Sequence, residues 1–145
     1  GIYMLTSSAK SKGRKLQNLV RDTLRNIFIN QLENDDITAR QMGGAGTDIV
    51  TSPAAKKLII FDIECKNQEK LQVPAALKQA YDNSTPGRIP LLVFKKNKGN
   101  VYVALSYDHF MKLIYNADIP AIKKLLEEND KSKKESIPIE NCNRQ

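Results

Sequence analysis

Asp48, Glu64 and Lys66 carry the chemistry this sequence has to offer: two carboxylates and an ammonium, set in the stretches "TDIV" and "FDIECKN". Ahead of the second stretch, the apolar run Leu58, Ile59, Ile60, Phe61 passes into Asp62, Glu64 and Lys66 at alternate positions. A β-strand turns successive side chains to opposite faces, so Leu58, Ile60, Asp62, Glu64 and Lys66 share one face while Ile59, Phe61, Ile63 and Cys65 share the other. If "TDIV" pairs beside that strand, Asp48 converges with Glu64 and Lys66. Carboxylates crowded at a strand end repel one another unless a cation sits between them. Hard oxygen ligands suit Mg2+ or Mn2+, which keeps part of its water shell, contacts a phosphate oxygen and lowers the pKa of a water able to attack phosphorus. A nearby ammonium orients that water or offsets charge on the pentavalent transition state. The chemistry expected is phosphodiester hydrolysis.

The elements that must position these groups follow from periodicity. Leu16, Leu19, Val20, Thr23, Leu24, Ile27 and Phe28 recur at three-and-four spacing, which predicts a first helix over residues 12–32, with Ser8 or Ser11 as its cap. "ITARQM" reads as a short strand, the glycines at 43, 44 and 46 as a flexible loop, "TDIV" as a second strand and "TSPAA" as a break. Leu58 to Lys66 is the strongest strand. A helix follows over 74–83, "STPGRIP" breaks it, and "LLVFKK" and "VYVALS" form strands around the hairpin signal "NKGN". "YDHFMKLIY" and "IPAIKKLLEEN" close as short helices. A mixed sheet with helices packed on it is expected, in one domain over residues 1–130, followed by a charged, irregular tail over 131–145.

The totals narrow the partners. The 145 residues carry a net charge of +7, with 41% hydrophobic and 27% charged residues. Such a chain buries an ordinary core, and its basic excess attracts polyanions, nucleic acid first among them. Two cysteines, Cys65 and Cys142, lack zinc-site spacing. No apolar run approaches the roughly 20 residues that span a bilayer, and no leader pattern is visible, so no membrane partner and an intracellular location are expected.

"GTDIV" followed by "IECKN" resembles the PD-(D/E)XK nuclease superfamily, Asp48, Glu64 and Lys66 matching its acidic pair and lysine. More narrowly, "SKGRKLQNLVRDTL", "ITARQMGGAGTDIV" and "IECKN" are similar to archaeal-type Holliday-junction resolvases and to small phage-encoded endonucleases, over roughly residues 8–96. The resemblance implies a restriction-endonuclease-like αβββαβ core with a mixed central sheet flanked by helices. It also implies a metal-dependent DNA endonuclease acting on branched DNA as a homodimer, with Asp48, Glu64 and the backbone carbonyl of Cys65 holding Mg2+ or Mn2+. Two departures stand out. Thr47 precedes Asp48 where the motif has proline, and Gln17 stands where resolvases of this type carry a metal-binding glutamate in the first helix.

Gln17 is thus expected to complete the catalytic pocket without adding charge. Lys10, Lys12, Arg14 and Lys15, with Arg40 before the glycine loop, are expected to contact phosphates. Lys95, Lys96 and Lys98 are weaker candidates of that kind, and Gln79 a modest one for the site. Asp62 reads as a hydrogen-bonded strand carboxylate, Tyr81 as a core residue, Gln68 and Glu69 as solvated, and the lone His109 as a packing or surface residue. The alternatives are a DNA-binding module that keeps the fold without turnover, a related nuclease acting on other DNA structures, and a basic α/β protein whose Glu-x-Lys is accidental.

Overall fold

The computed structural model describes residues 2–131, with side chains over residues 8–130. The expected tail over 131–145, Cys142 included, lies outside the described residues but for the backbone of Lys131. The elements run α1 (Ile2–Ile27), a short 3-10 turn (Asn34–Asp36), β1 (Ile37–Ala39), β2 (Ile49–Thr51), α2 (Pro53–Lys56), β3 (Phe61–Asn67), α3 (Val73–Asp82), β4 (Ile89–Lys95), β5 (Tyr102–Ala104), α4 (Tyr107–Tyr115) and α5 (Ile119–Lys131). They fall into two compact units, residues 1–105 and residues 106–145.

In the first unit, β3 and β4 pair in parallel from Phe61↔Ile89 to Asn67↔Lys95, with α3 as the crossover a parallel pair requires. The antiparallel β5 completes a three-stranded sheet on β4, and β1 and β2 form a separate antiparallel pair. This is the mixed α/β architecture of a restriction-endonuclease-like fold. The sheet is divided where a continuous one was expected, because β2 ends early. Ser52 caps α2 by accepting from the Ala55 N–H and also donates to Asp36 at 2.6 Å, which turns the chain away after three paired residues. What joins β2 to β3 is the bond from the Asp48 N–H to the Ile63 carbonyl, 3.0 Å.

α1 begins at Ile2, so Ser8 and Ser11 lie inside it and cap nothing. Gly13 sits mid-helix at a cost of about 0.5–1 kcal/mol relative to alanine. Its small size has a use: Met42 Cε stands 3.4 Å from where a Cβ would be. The apolar face of α1 buries Leu16 against Ile37, Ile49, Ile59, Ile63, Cys65 and Val93, with Leu19, Val20, Leu24 and Phe28 packed around them. Each such aliphatic side chain contributes about 1.5–3 kcal/mol when fully buried. Ile27, expected on this face, is 60% exposed in the last turn.

On the other side of β3 and β4, α3 turns Ala76 and Ala80 inward, and their small size lets the helix lie close over Leu92, Asp62 and Glu64. Tyr81, expected in the core, is 69% exposed, because Ala76 and Ala80 already take the inward face and the next position points some 100° away.

In the second unit, Ser106 caps α4 by accepting from the His109 N–H. Its hydroxyl also lies 2.9 Å from His109 Nδ1, so the imidazole serves the helix start.

Candidate active site

β3 delivers Glu64 and Lys66 to one face by its period of two, and the bond between Asp48 and Ile63 sets Asp48 at the strand's free edge. The Asp48 carboxylate then accepts from the Cys65 N–H at 2.7 Å. A strand residue turns its N–H and C=O to the same edge, so the Cys65 carbonyl faces Asp48 as well. β4 occupies the opposite edge, where the Ile89 N–H reaches the Ile60 carbonyl.

Asp48, Glu64, Cys65 and Lys66 line one cleft of about 190 Å³. Ala9, Gly13 and Gln17 form its α1 wall, Gln41 to Gly44 a second wall, and Gln79 on α3 a third. Gln17 is buried and lines the cleft where the resolvase resemblance places a glutamate. Asn67 and Gln68 extend the lining beyond Lys66. The Asn67 Oδ1 is buried there without a hydrogen-bond partner among the described residues. Gln68, expected in solvent, is exposed but belongs to this wall, and Glu69 accepts from the Asn97 N–H instead.

The electrostatics are those of two acids in too little solvent. Burial and the neighbouring Asp48 charge push Glu64 up to about 7, against the pull of Lys66 and a long 3.5 Å bond from the Asn83 amide. Burial also raises Asp48, opposed by the Cys65 N–H, Lys66, a bond with Glu64 and Arg40. The two carboxyls therefore titrate as a pair, sharing a proton near neutrality. Burial raises the Cys65 thiol too, which keeps it a neutral core group. Among the described residues no three of His, Cys, Asp and Glu cluster as a ready metal cage. Two carboxylates and a carbonyl do fit an oxygen-loving divalent ion that keeps several waters, and such an ion relieves the repulsion that forces the proton to be shared.

Asp62 shares the face of Glu64 but is held elsewhere. Its carboxylate accepts from Ser84 Oγ (2.9 Å), the Thr85 N–H (3.0 Å) and Arg88 Nε (2.7 Å). Arg88 also donates to the Ile59 and Phe61 carbonyls, fastening the loop after α3 to the start of β3. Burial alone would raise Asp62, yet these bonds hold it below the usual carboxylate range. Asn83 and Arg88 were not singled out in the sequence. The signal available was a carboxylate on a strand face that α3 must cover, followed by a loop offering Asn, Ser, Thr and Arg.

Among the basic candidates, none of Lys10, Lys12, Arg14, Lys15 and Arg40 lines the cleft; by the helical step Lys10 lies about 60° and Lys12 and Arg14 about 100° around α1 from Gly13, the centre of its wall. Lys15 turns roughly 160° from its centre, by the 100° step of a helix. Arg40 is half-buried and braces the glycine loop, its Nε donating to the Thr47 carbonyl at 2.7 Å. Gly46 adopts φ +99°, a backbone conformation that favours glycine, and a Cβ there would press on the Arg40 guanidinium at 3.0 Å. Lys95, Lys96 and Lys98 do not line the cleft.

A family model described as "Phage putative PDDEXK endonuclease" matches residues 8–140. No curated protein and no solved structure matches the chain.

Proposed function

The chain belongs to the phage PDDEXK endonuclease family, and from that premise we propose a divalent-metal-dependent enzyme that hydrolyses phosphodiester bonds in branched DNA, in the manner of a Holliday-junction resolvase. The observation that carries this reading is the meeting of Asp48, just ahead of β2, and Glu64 of β3 in one cleft with Lys66. Asp48, Glu64 and the Cys65 carbonyl would hold Mg2+ or Mn2+. When bound, that ion supplies phosphate-charge neutralisation and a more acidic attacking water.

The chain's own residues do the rest. The Lys66 ammonium orients the incoming water and offsets charge on the equatorial phosphoryl oxygens. Gln17, neutral and buried beside the acids, donates its amide N–H to a phosphate oxygen or accepts from the water. The bond from the Cys65 N–H keeps the Asp48 carboxylate aimed into the cleft. Lys10, Lys12 and Arg14, on the same helix as the Gly13 and Gln17 wall, neutralise flanking phosphates, a salt-sensitive contribution that carries no sequence information. A four-way junction requires two symmetric cuts, so a two-fold homodimer goes with this substrate.

Cleavage of labelled four-way junction, flap, linear duplex and single-stranded DNA with Mg2+ tests the reading. The junction should be cut preferentially, and Lys66→Ala should slow cutting by about 10²–10³-fold, the scale of losing one charge-stabilising donor. Equal cutting of all four would remove the junction specificity. An intact panel at every Mg2+ and Mn2+ concentration would remove the enzyme. A DNA-binding role without turnover is the second reading, favoured by Gln17 where a third anionic ligand would otherwise stand. Tight junction binding, with no product from wild type or Asp48→Ala, would select it.

A further inference from the structure

The wall of the cleft continues into a basic hairpin. Asn67 and Gln68 carry the lining beyond Lys66, and the parallel register sets Asn67 beside Lys95 at the end of β4. The Gln68 N–H donates to the Lys95 carbonyl at 3.2 Å, and the Asn97 N–H donates to the Glu69 carboxylate at 2.7 Å. The strand that holds Glu64 and Lys66 is therefore bonded, just past its end, to the chain that turns from β4 to β5. On its other side the turn is braced by β5, where Phe94 pairs with Tyr102 and their ring centroids lie 6.0 Å apart.

What this turn presents is positive charge. Lys96 and Lys98 are exposed, Lys95 is half-buried beside them, and Lys70 is exposed at the end of the Gln68 segment. Glu69 is the one acid within residues 66–70 and 95–100, and the Asn97 N–H engages it. None of the four lysines forms an ion pair among the described residues. The turn closes with the Gly99 N–H on the Lys96 carbonyl, 3.0 Å, and places Lys98 at φ 56°, where glycine or asparagine is favoured. Lysine is the costlier residue for the backbone there, and what it adds is an ammonium group held close to Lys96. Like charges gathered on a fixed turn attract a polyanion. The hairpin stands on the order of 10 Å from Lys66, two strand rises along and one strand spacing across. At ~3.4 Å per nucleotide, that is about three nucleotides along a DNA strand leaving the cleft.

We infer that Lys96 and Lys98 on the β4–β5 hairpin bind backbone phosphates of DNA about three nucleotides from the bond held in the cleft. This rests on the reading of the cleft as a DNA-cleaving site, and it adds a second phosphate-binding element to the one on α1.

Binding of labelled linear duplex and four-way junction in chelator, titrated with salt, tests it without requiring cleavage. Lys96→Gln with Lys98→Asn keeps polar side chains that the turn accepts, and should weaken binding about tenfold or more at ~0.1 M salt. It should also lower the slope of log affinity against log salt by about 1.8, since each phosphate contact contributes about 0.9. Lys96→Arg with Lys98→Arg retains both charges and should bind within about threefold of wild type. Lys56→Gln with Lys57→Gln removes the same net charge from exposed positions at the opposite end of β3, about 20 Å away at about 3.3 Å per residue. That separation is about two screening lengths at ~0.1 M salt, so this pair should also stay within about threefold and leave the slope unchanged. Far-UV circular dichroism checks that each variant is folded. Equal losses in the two neutralised pairs would reduce the effect to net charge and overturn the surface, as would no loss in either. A wild type that binds neither DNA would overturn both this surface and the proposed function. Hairpin-dependent binding without cleavage at any Mg2+ concentration would remove the enzyme and leave the surface standing.

Discussion

Glu64→Gln should make this protein more stable while disabling its proposed metal site. Glu64 is 3% exposed, and its carboxyl is pushed from 4.5 up to about 7 by burial and by Asp48. Between those two values the folded state holds a proton that the unfolded chain has released, so stability falls as pH rises through this window. Above about pH 7 the folded protein carries a buried anion beside a second one. At about 1.4 kcal/mol per pH unit, the whole rise corresponds to roughly 3 kcal/mol of lost stability, a ceiling reached only above both values. Glutamine matches the shape, keeps an oxygen for the Asn83 amide and removes the charge. In chelator at pH 8, Glu64→Gln should therefore gain about 1–3 kcal/mol, or roughly 3–9 °C in melting temperature for a chain of this size. The gain should shrink through neutrality and vanish below about pH 4.5, where the wild-type carboxyl is protonated in both states. Urea denaturation from pH 4 to 9 measures this, with and without Mn2+, which should stabilise wild type and not the variant. A difference between the two proteins that does not change with pH, or a variant less stable at pH 8, would refute the electrostatic account of this cleft.

Arg88→Ala should cost about 3–5 kcal/mol in urea denaturation, because it strands the buried Asp62 carboxylate. Since Asp62 sits below its ordinary value, the stability it contributes is present above about pH 4 and is lost as pH falls further. Mn2+ affinity measured by calorimetry should rise up to about tenfold per pH unit below 7 and level off above it, because Glu64 must give up a proton to bind the ion. Gln17→Glu should tighten that affinity by about tenfold or more by adding a third anionic ligand, and a junction-cleavage assay should show a matching drop in the Mn2+ concentration needed. Gly46→Ala should destabilise by about 1–3 kcal/mol, since a Cβ is strained at φ +99° and presses on Arg40. It should also displace the Gln41–Gly44 wall, read as a higher KM for DNA.

Local periodicity by itself determined the main strands, the buried face of the first helix and the acidic motif. The period of two along 58–66 placed Glu64 and Lys66 on one face, and the three-and-four spacing from Leu16 to Phe28 named the face of α1 that meets the sheet. Those signals are local because pleat and helix pitch convert sequence spacing directly into direction. Only the tertiary structure decided which carboxylate does what. Asp62 and Glu64 are two residues apart on the same strand face, indistinguishable by pattern. The parallel register of β3 with β4 brings the loop after α3 onto Asp62, so that Ser84, Thr85 and Arg88 neutralise it. Glu64, one step further along, faces Asp48 in the cleft instead. The capping of α2 by Ser52, which divides the sheet, and the alanines that turn Tyr81 outward depend in the same way on partners distant in the chain. No window of neighbouring residues contains them, because their energy comes from contacts that exist only after the strands have paired.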